Sequence, residues 1–244
     1  MEVHLIAKMG DDLRVVDAAR VSFAKQSAWE PEVIDEDLTR AVLSELDQKL
    51  IRYLATHNHW TPFSHVQITM REKVPIFIAR QRFKHMIGFT YNEVSRRYVS
   101  DDPEFFVPDV WRSKPEGSIK QGSGSEKIER LELKEHEVWD DPTTPLITVS
   151  IHEMYDALIE HAEQLYQLMI DNEVAPEQAR MVLPQSMYTE YYVTGSLSAW
   201  ARAYKLRIDG HAQKEIQELA KMWNREISKL EDLKYSWKAL TQLN

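Results

Sequence analysis

The strongest local constraint on how this chain can fold is a change of hydrophobic period at Pro75. Val66, Ile68 and Met70 alternate with Gln67, Thr69 and Arg71, the period-two signature of a strand with one buried face. Pro75 ends that strand and suits the first position of a helix, where its missing N–H would have had no partner anyway. The spacing predicts a helix from Ile76 to about Met86, with Ile76, Ala79 and Phe83 on its apolar stripe. Gln81, Lys84 and His85 then fall together on a separate polar face. Gly88 is placed to stop the helix.

Elsewhere, Val3 to Ala7 reads as a first strand, and Asp11 or Asp12 can cap a helix carrying Leu13, Val16 and Ala19 as far as Val21. A second helix is expected to begin near Asp37, with Leu38, Val42, Leu46 and Leu50 at four-residue spacing, and to continue to Leu54. Residues 112 to 145, rich in charge, Gly, Ser and Pro, read as a surface excursion. From Ile147 to Ile170 the positions Ile151, Met154, Leu158, Leu165 and Met169 mark a long amphipathic helix, and Pro176 starts another through Ala179 and Val182. Ser186 to Thr194 fits strand or helix, with propensity favouring strand modestly. Strands do not alternate regularly with helices, so the expected class is a helix-rich α+β fold. At 244 residues, against a prior of about 150 per domain, one large domain with a surface insertion around 112–145 is the expected organisation.

Composition narrows the chemistry. The chain is 43% hydrophobic and 28% charged, which excludes wholesale disorder. Thirty basic against 39 acidic side chains leave a formal charge of −9, unsuited to coating a nucleic acid polymer or an anionic membrane. With no cysteine, disulfides, thiolate metal sites and a cysteine nucleophile are excluded. No stretch approaches the roughly 18 apolar residues of a membrane span, and the first residues do not read as a signal peptide, so a cytoplasmic protein is expected.

Three clusters could carry chemistry. Segment 80–98 holds Arg80, Arg82, Lys84, Arg96 and Arg97 against the single acid Glu93, a local reversal of the overall charge. A phosphate monoester needs fixed cations plus hydroxyl or backbone donors, which Ser95, Arg96 and Arg97 could supply; a solvated basic face is the alternative. The second cluster, His57, His59 and His65 around Thr61 and Pro62, lacks the spacing and carboxylate of a metal triad and better suits a pocket lining. The third contains Arg180 and then Arg207, Asp209 and His211. An arginine flanked by Leu206 and Ile208 is expected to be partly buried and to need a partner, with Asp209 or Glu215 as simple ion-pair choices.

These clusters, in this order, resemble the flavin-dependent thymidylate synthases (ThyX). The matching stretches are AARVSF at 18–23, HWTPFSH at 59–65, PIFIARQ through NEVSRRY at 75–98, ARMVLP at 179–184 and LRIDGHAQKEIQ at 206–217. The family motif, RHR followed by seven or eight residues and S-x-R, aligns with Lys84, His85 and Met86, eight residues, then Ser95, Arg96 and Arg97. Lys84 keeps the charge without the guanidinium's planar fork, and Met86 offers only soft apolar contact.

The resemblance implies a ThyX-like fold, a central mostly antiparallel sheet flanked by helices with a helix-rich C-terminal part. It implies FAD contacts from Ser22, His59, Thr61, Lys84, His85, Met86, Glu93, Ser196, Leu197, Ser198, Arg202 and His211. The nucleotide dUMP would be held by Gln81, Arg82, Phe83 and Lys84 of one subunit and by Glu93, Val94, Ser95, Arg96, Arg97, Arg180 and Arg207 of another, in a homotetramer with shared sites. The implied reaction is reductive methylation of dUMP at C5, with carbon from 5,10-methylenetetrahydrofolate and electrons from NADPH through FAD, no metal taking part. Arg207 is the expected catalytic residue: always protonated, it would stabilise charge on the uracil ring rather than act as a base. The alternatives are a flavoenzyme adding a hydroxymethyl group to a pyrimidine nucleotide, and a nucleic-acid module stacking bases on Phe83, Phe89 and Tyr91.

Overall fold

A computed structural model describes residues 1–35, 38–99, 101–115, 122–134 and 146–242. In chain order it contains β1 (Glu2–Met9), α1 (Asp12–Arg20), β2 (Glu30–Asp35), β3 (Leu38–Val42), α2 (Glu45–Thr56), β4 (Gln67–Pro75), α3 (Ile76–Arg82) and β5 (Phe89–Glu93). There follow β6 (Arg130–Lys134), β7 (Leu146–Ser150), α4 (Ile151–Asp171), α5 (Pro176–Ala179), β8 (Tyr188–Ser196), α6 (Leu197–Arg207), α7 (Lys214–Ile227) and α8 (Lys234–Thr241). The class is α+β, as expected.

The chain divides into two compact units, one formed by Met1–Val74, Ile78–Glu93 and Glu190–Asn244, the other by Pro75–Phe77 with Val94–Thr189. The first contains most of a four-stranded sheet in the order β1-β4-β8-β5, with β1 antiparallel to β4 and β5 antiparallel to β8. The period-two reading of β4 holds, with Ile68, Met70 and Val74 buried. Helix α7 packs on β1 and α6, and α2 on α8, enclosing Trp200, Leu219 and Trp223 in the core. Asp12 is fully buried yet satisfied, because its carboxylate accepts the backbone N–H groups of Tyr235 and Ser236 at the start of α8 (2.9 and 2.8 Å).

The second unit contains α4, α5 and the antiparallel hairpin β6/β7. Here Trp111 packs edge-on against Tyr155 with ring centroids 5.1 Å apart, and the Tyr155 hydroxyl donates to the Phe106 carbonyl at 2.7 Å.

Several boundaries differ from expectation for local reasons. Asp37 lies outside the described residues, and the helix expected there begins only at Glu45, where Ser44 accepts the Asp47 N–H at 3.2 Å. Leu38 and Val42 instead pair with β2. Ile147, Thr148 and Val149, all β-branched, form β7 rather than the first turn of α4, which starts after the Ser150 cap. The ambiguous segment after Ser186 becomes β8.

Candidate active site

Site geometry begins with the alternation of β4. Its buried face continues from Ile68 and Met70 to Glu72 and Val74, so a carboxylate stands where an apolar residue is expected. Arg82 of α3, also fully buried, answers it: Nε donates to both Glu72 oxygens at 3.3 Å. Tyr191 donates its hydroxyl to Glu72 at 2.6 Å, and Arg82 Nη1 donates to the Tyr91 hydroxyl at 2.6 Å. Around the guanidinium carbon lie the rings of Phe89, Trp223, Trp200 and Tyr91, at 4.4, 4.7, 4.8 and 5.2 Å from their centroids. Taking these ions from water is costly, and the mutual pairing and four aromatic rings offset that cost. Arg82, expected among the nucleotide contacts, thus has its side chain committed to the interior. Leu197, one of the expected flavin contacts, is fully buried at the start of α6.

Helix α3 ends at Arg82 rather than near Met86. Tightened i→i−3 bonds follow, Lys84 N–H to Gln81 and His85 N–H to Arg82, and the Tyr91 hydroxyl lies 2.7 Å from the His85 carbonyl and 3.3 Å from that of Arg82. Gly88 completes the turn at φ +80°, and a Cβ there would meet Ala199 Cβ at 2.9 Å.

This turn presents His85, which is buried, to Arg207 at the end of α6. Arg207 Nε donates to His85 Nε2 at 2.8 Å, and Nη2 donates to the Gln81 carbonyl at 3.1 Å. An acceptor at Nε2 puts the proton of the neutral ring on Nδ1. Burial first, then the charges of Arg207, Arg82 and Arg202, hold the imidazole at about 4, so it is neutral near pH 7. Burial also lowers Arg207, with Arg82 adding to the effect. Neither Asp209 nor Glu215 is the partner that spacing suggested for Arg207; Asp209 accepts instead from His211, backbone and ring, at 2.8 and 3.0 Å. The Gln81 side chain donates to Gln213 at 2.6 Å.

Two adjoining clefts flank the His59–Trp60 segment. One, of about 620 Å³, is lined by Leu54, Asn58, His59, Trp60, Ile87, Ser198, Arg202, Lys205 and Leu206 among others. The other, of about 390 Å³, shares Leu54, Asn58, His59 and Trp60 and adds Ser22, Thr61 and Pro62. The expected cofactor residues Ser22, His59, Thr61, Ser198 and Arg202 are therefore brought together. No acidic residue lines either cleft among the described residues, although the chain carries a formal charge of −9. Arg202 reaches the Ile87 carbonyl, and Ser198 shares a 2.9 Å hydrogen bond with Ser64.

Other expected residues are distributed differently. Ser196 is buried as the cap of α6, accepting the Ala199 N–H, and Phe83 packs edge-on against Tyr91 and Tyr191 at 5.0 and 4.9 Å. Lys84, Met86, Glu93 and His211 are exposed. In the second unit, Ser95 accepts from Arg97 at 3.3 Å, Arg96 is bound to the Asp101 and Asp102 carbonyls, and exposed Arg180 donates to the Glu177 carbonyl at 3.4 Å. Val94 is exposed. Sequence reading missed Glu72, Tyr91 and Tyr191 as partners of the motif helix. The inward register of 68, 70, 72 and 74 was the available signal for Glu72.

Residues 4–230 match the family described as thymidylate synthase complementing protein. The chain belongs to the flavin-dependent thymidylate synthase family. A member from Thermosipho melanesiensis is 36% identical over 218 residues, 89% of this chain and 81% of that protein. One from Thermus thermophilus is 33% identical over 90% of this chain and 68% of its own length. Among solved structures, the UMP/dUMP methylase PolB from Streptomyces cacaoi bound with 5-Br dUMP superposes with a TM-score of 0.71, at 27% identity, covering 98% of this chain and 94% of that one. Lys84, His85 and Met86 lie within the matched residues.

Proposed function

We propose that this chain is a flavin-dependent thymidylate synthase that methylates dUMP at uracil C5, taking carbon from 5,10-methylenetetrahydrofolate and electrons from NADPH by way of FAD. The observation that carries the reading is the setting of Arg207. It is a cation anchored by two neutral acceptors and carried, like Arg202 and Lys205, on a helix that borders an acid-free cleft. The names of the relatives and of the dUMP-bound neighbour support the same substrate class.

The donor set fits a flavin dinucleotide. Trp60, Leu54, Ile87 and Leu206 provide apolar wall for a planar ring system, Arg202 and Lys205 suit a pyrophosphate, and Ser22, His59, Thr61 and Ser198 offer polar contacts. When bound, FAD supplies hydride chemistry that no side chain can. Arg207 contributes electrostatics: at the N3/O4 edge of the uracil it stabilises negative charge on the ring, which makes C5 nucleophilic, and does so more strongly as water is excluded. Because its proton is not available for removal near pH 7, Arg207 is not the base.

Ser95, Arg97 and Arg180 would hold the phosphate from a second subunit of a homotetramer, Lys84 and Gln81 acting from the first. Helix α4 supports assembly: Met154, Leu158, Leu165 and Leu168 form an exposed apolar stripe along it. We take residues 1–244 as one enzyme domain working in the cytoplasm; among the described residues no helix is long and apolar enough to cross a membrane. The PolB neighbour favours UMP as a second nucleotide to be tried.

The test is the mass of nucleotide recovered after incubation with dUMP or UMP, FAD, NADPH and methylenetetrahydrofolate, each component omitted in turn. A methyl gain that needs flavin and reductant supports the reading. A hydroxymethyl gain, or unchanged nucleotide with flavin bound, overturns it.

A further inference from the structure

Resting on that reading, we infer that Tyr91 is a positioning residue for nucleotide binding: it couples the buried Glu72–Arg82 pair to the His85 turn, and His85 in turn holds the Arg207 guanidinium in register. The chain of contacts is continuous. Glu72 and Arg82 cannot move independently, because leaving either buried charge without the other is strongly unfavourable. Tyr91 accepts from Arg82 Nη1 at 2.6 Å, so its single proton is directed to the carbonyls beyond, the nearer being that of His85 at 2.7 Å. The phenol is pushed up to about 12, chiefly by burial, so that donor persists across the working pH range. His85 thereby has its backbone fixed, and its ring accepts from Arg207 Nε at 2.8 Å.

The consequence lies in what Arg207 has left. Nε and one Nη2 proton are taken on one edge, whereas Nη1 and the other Nη2 proton have no hydrogen-bond partner among the described residues. Those remaining donors form the end-on fork that suits a flat acceptor edge such as a pyrimidine's. A shift of about 1 Å in such a fork is enough to lose much of its effect. Lys84 and Met86, the two departures from the family motif, flank His85 without taking part in this chain of bonds. The route to Arg207 therefore runs through His85, the residue between those two departures.

The test is a double-mutant cycle on the flavin-loaded enzyme, reading dUMP affinity by calorimetry. Tyr91→Phe should weaken dUMP binding at least tenfold with flavin content unchanged, but less than twofold when Arg207 is already Ala. A weakening below twofold in folded Tyr91→Phe, or an equal loss in both backgrounds, overturns the inference. If Tyr91→Phe does not fold, the neutral pair Glu72→Gln with Arg82→Gln goes through the same cycle with the same expectation. A nucleotide-free arm follows the His85 imidazole by NMR titration. The cations facing it are Arg207 and Arg202 of α6 and Arg82 of α3, so releasing Arg207 should move its midpoint measurably upward in both Arg207→Ala and Tyr91→Phe. A wild type that binds no dUMP, but in which Tyr91→Phe shifts His85, defeats the functional reading alone; normal dUMP binding with an unmoved His85 in Tyr91→Phe defeats this inference alone.

Discussion

Arg82 and Arg207 stand at the two ends of one chain of hydrogen bonds, through Tyr91 and His85, but in opposite surroundings. Arg82 is fully enclosed, faces a carboxylate and is ringed by four aromatic side chains. Arg207 is half-buried and faces a neutral imidazole and a carbonyl. The first arrangement cancels charge and holds structure. The second keeps the charge whole and aims it, which a site for an anionic or charge-accumulating ligand requires. Exposure alone does not sort a functional cation from a structural one; the formal charge of its partner does.

The contrast can be broken first at Glu72. Glu72→Ala leaves a buried guanidinium unpaired and should lower unfolding stability by about 3–5 kcal/mol. Removing Glu190, which pairs with Arg71 at the surface, should cost at most about 1 kcal/mol. Urea denaturation of both variants checks this, and similar losses would erase the distinction drawn for the Arg82 pair. Next, Arg207→Ala should lower dTMP formation by roughly 10²–10³-fold, the size found for removal of a charge-stabilising donor, with its melting temperature little changed. Near-normal turnover in the folded variant would remove Arg207 from the chemistry.

A third test uses pH. His85 in the folded protein titrates near 4, below its ordinary value of 6.5. Its neutral form therefore favours the fold fully above about 6.5, and that stability is lost as pH falls towards 4, by up to about 3 kcal/mol at about 1.4 per unit. Asp12 acts in the opposite sense. Burial raises it to about 6 from 3.8, so its contribution is complete below 3.8 and is lost as pH rises to about 6. The difference between wild type and His85→Gln isolates the first effect, and a difference independent of pH from 4 to 6.5 would contradict a neutral His85. The smallest effect is expected for Lys84→Arg, which restores the family residue and should change dUMP and flavin affinity by a few-fold at most. A large loss of both would mean that the motif is aligned in the wrong register.

Much of this arrangement is legible in the sequence. The alternation through Met70 and the switch at Pro75 placed the start of the motif helix, though its end at Arg82 came earlier than expected, and family resemblance brought Ser22, His59, Thr61, Ser198 and Arg202 to one pair of clefts. What could not be read were pairings between distant residues. Glu72 and Tyr191 are 119 positions apart, and His85 and Arg207 are 122 apart. Local propensity carries no information on such contacts. The family resemblance also carried a flavin role onto Leu197, whose side chain the fold buries. The strands β2, β3, β6 and β7 escaped because each is short and stabilised by its hairpin partner rather than by an alternating pattern of its own.

Glu93 and Tyr191 are register partners in the sheet, so everything from Val94 to Glu190 leaves and re-enters at neighbouring rungs. Closing a loop costs free energy that grows only with the logarithm of its length, about 0.6 kcal/mol per doubling. Insertions within that span therefore cost the β5–β8 seam little, provided they spare Ser95, Arg97, Arg180 and the first residues of β8. The paired strands are an anchorage from which new surface can be hung while Tyr91, on β5, keeps its rung opposite Val193.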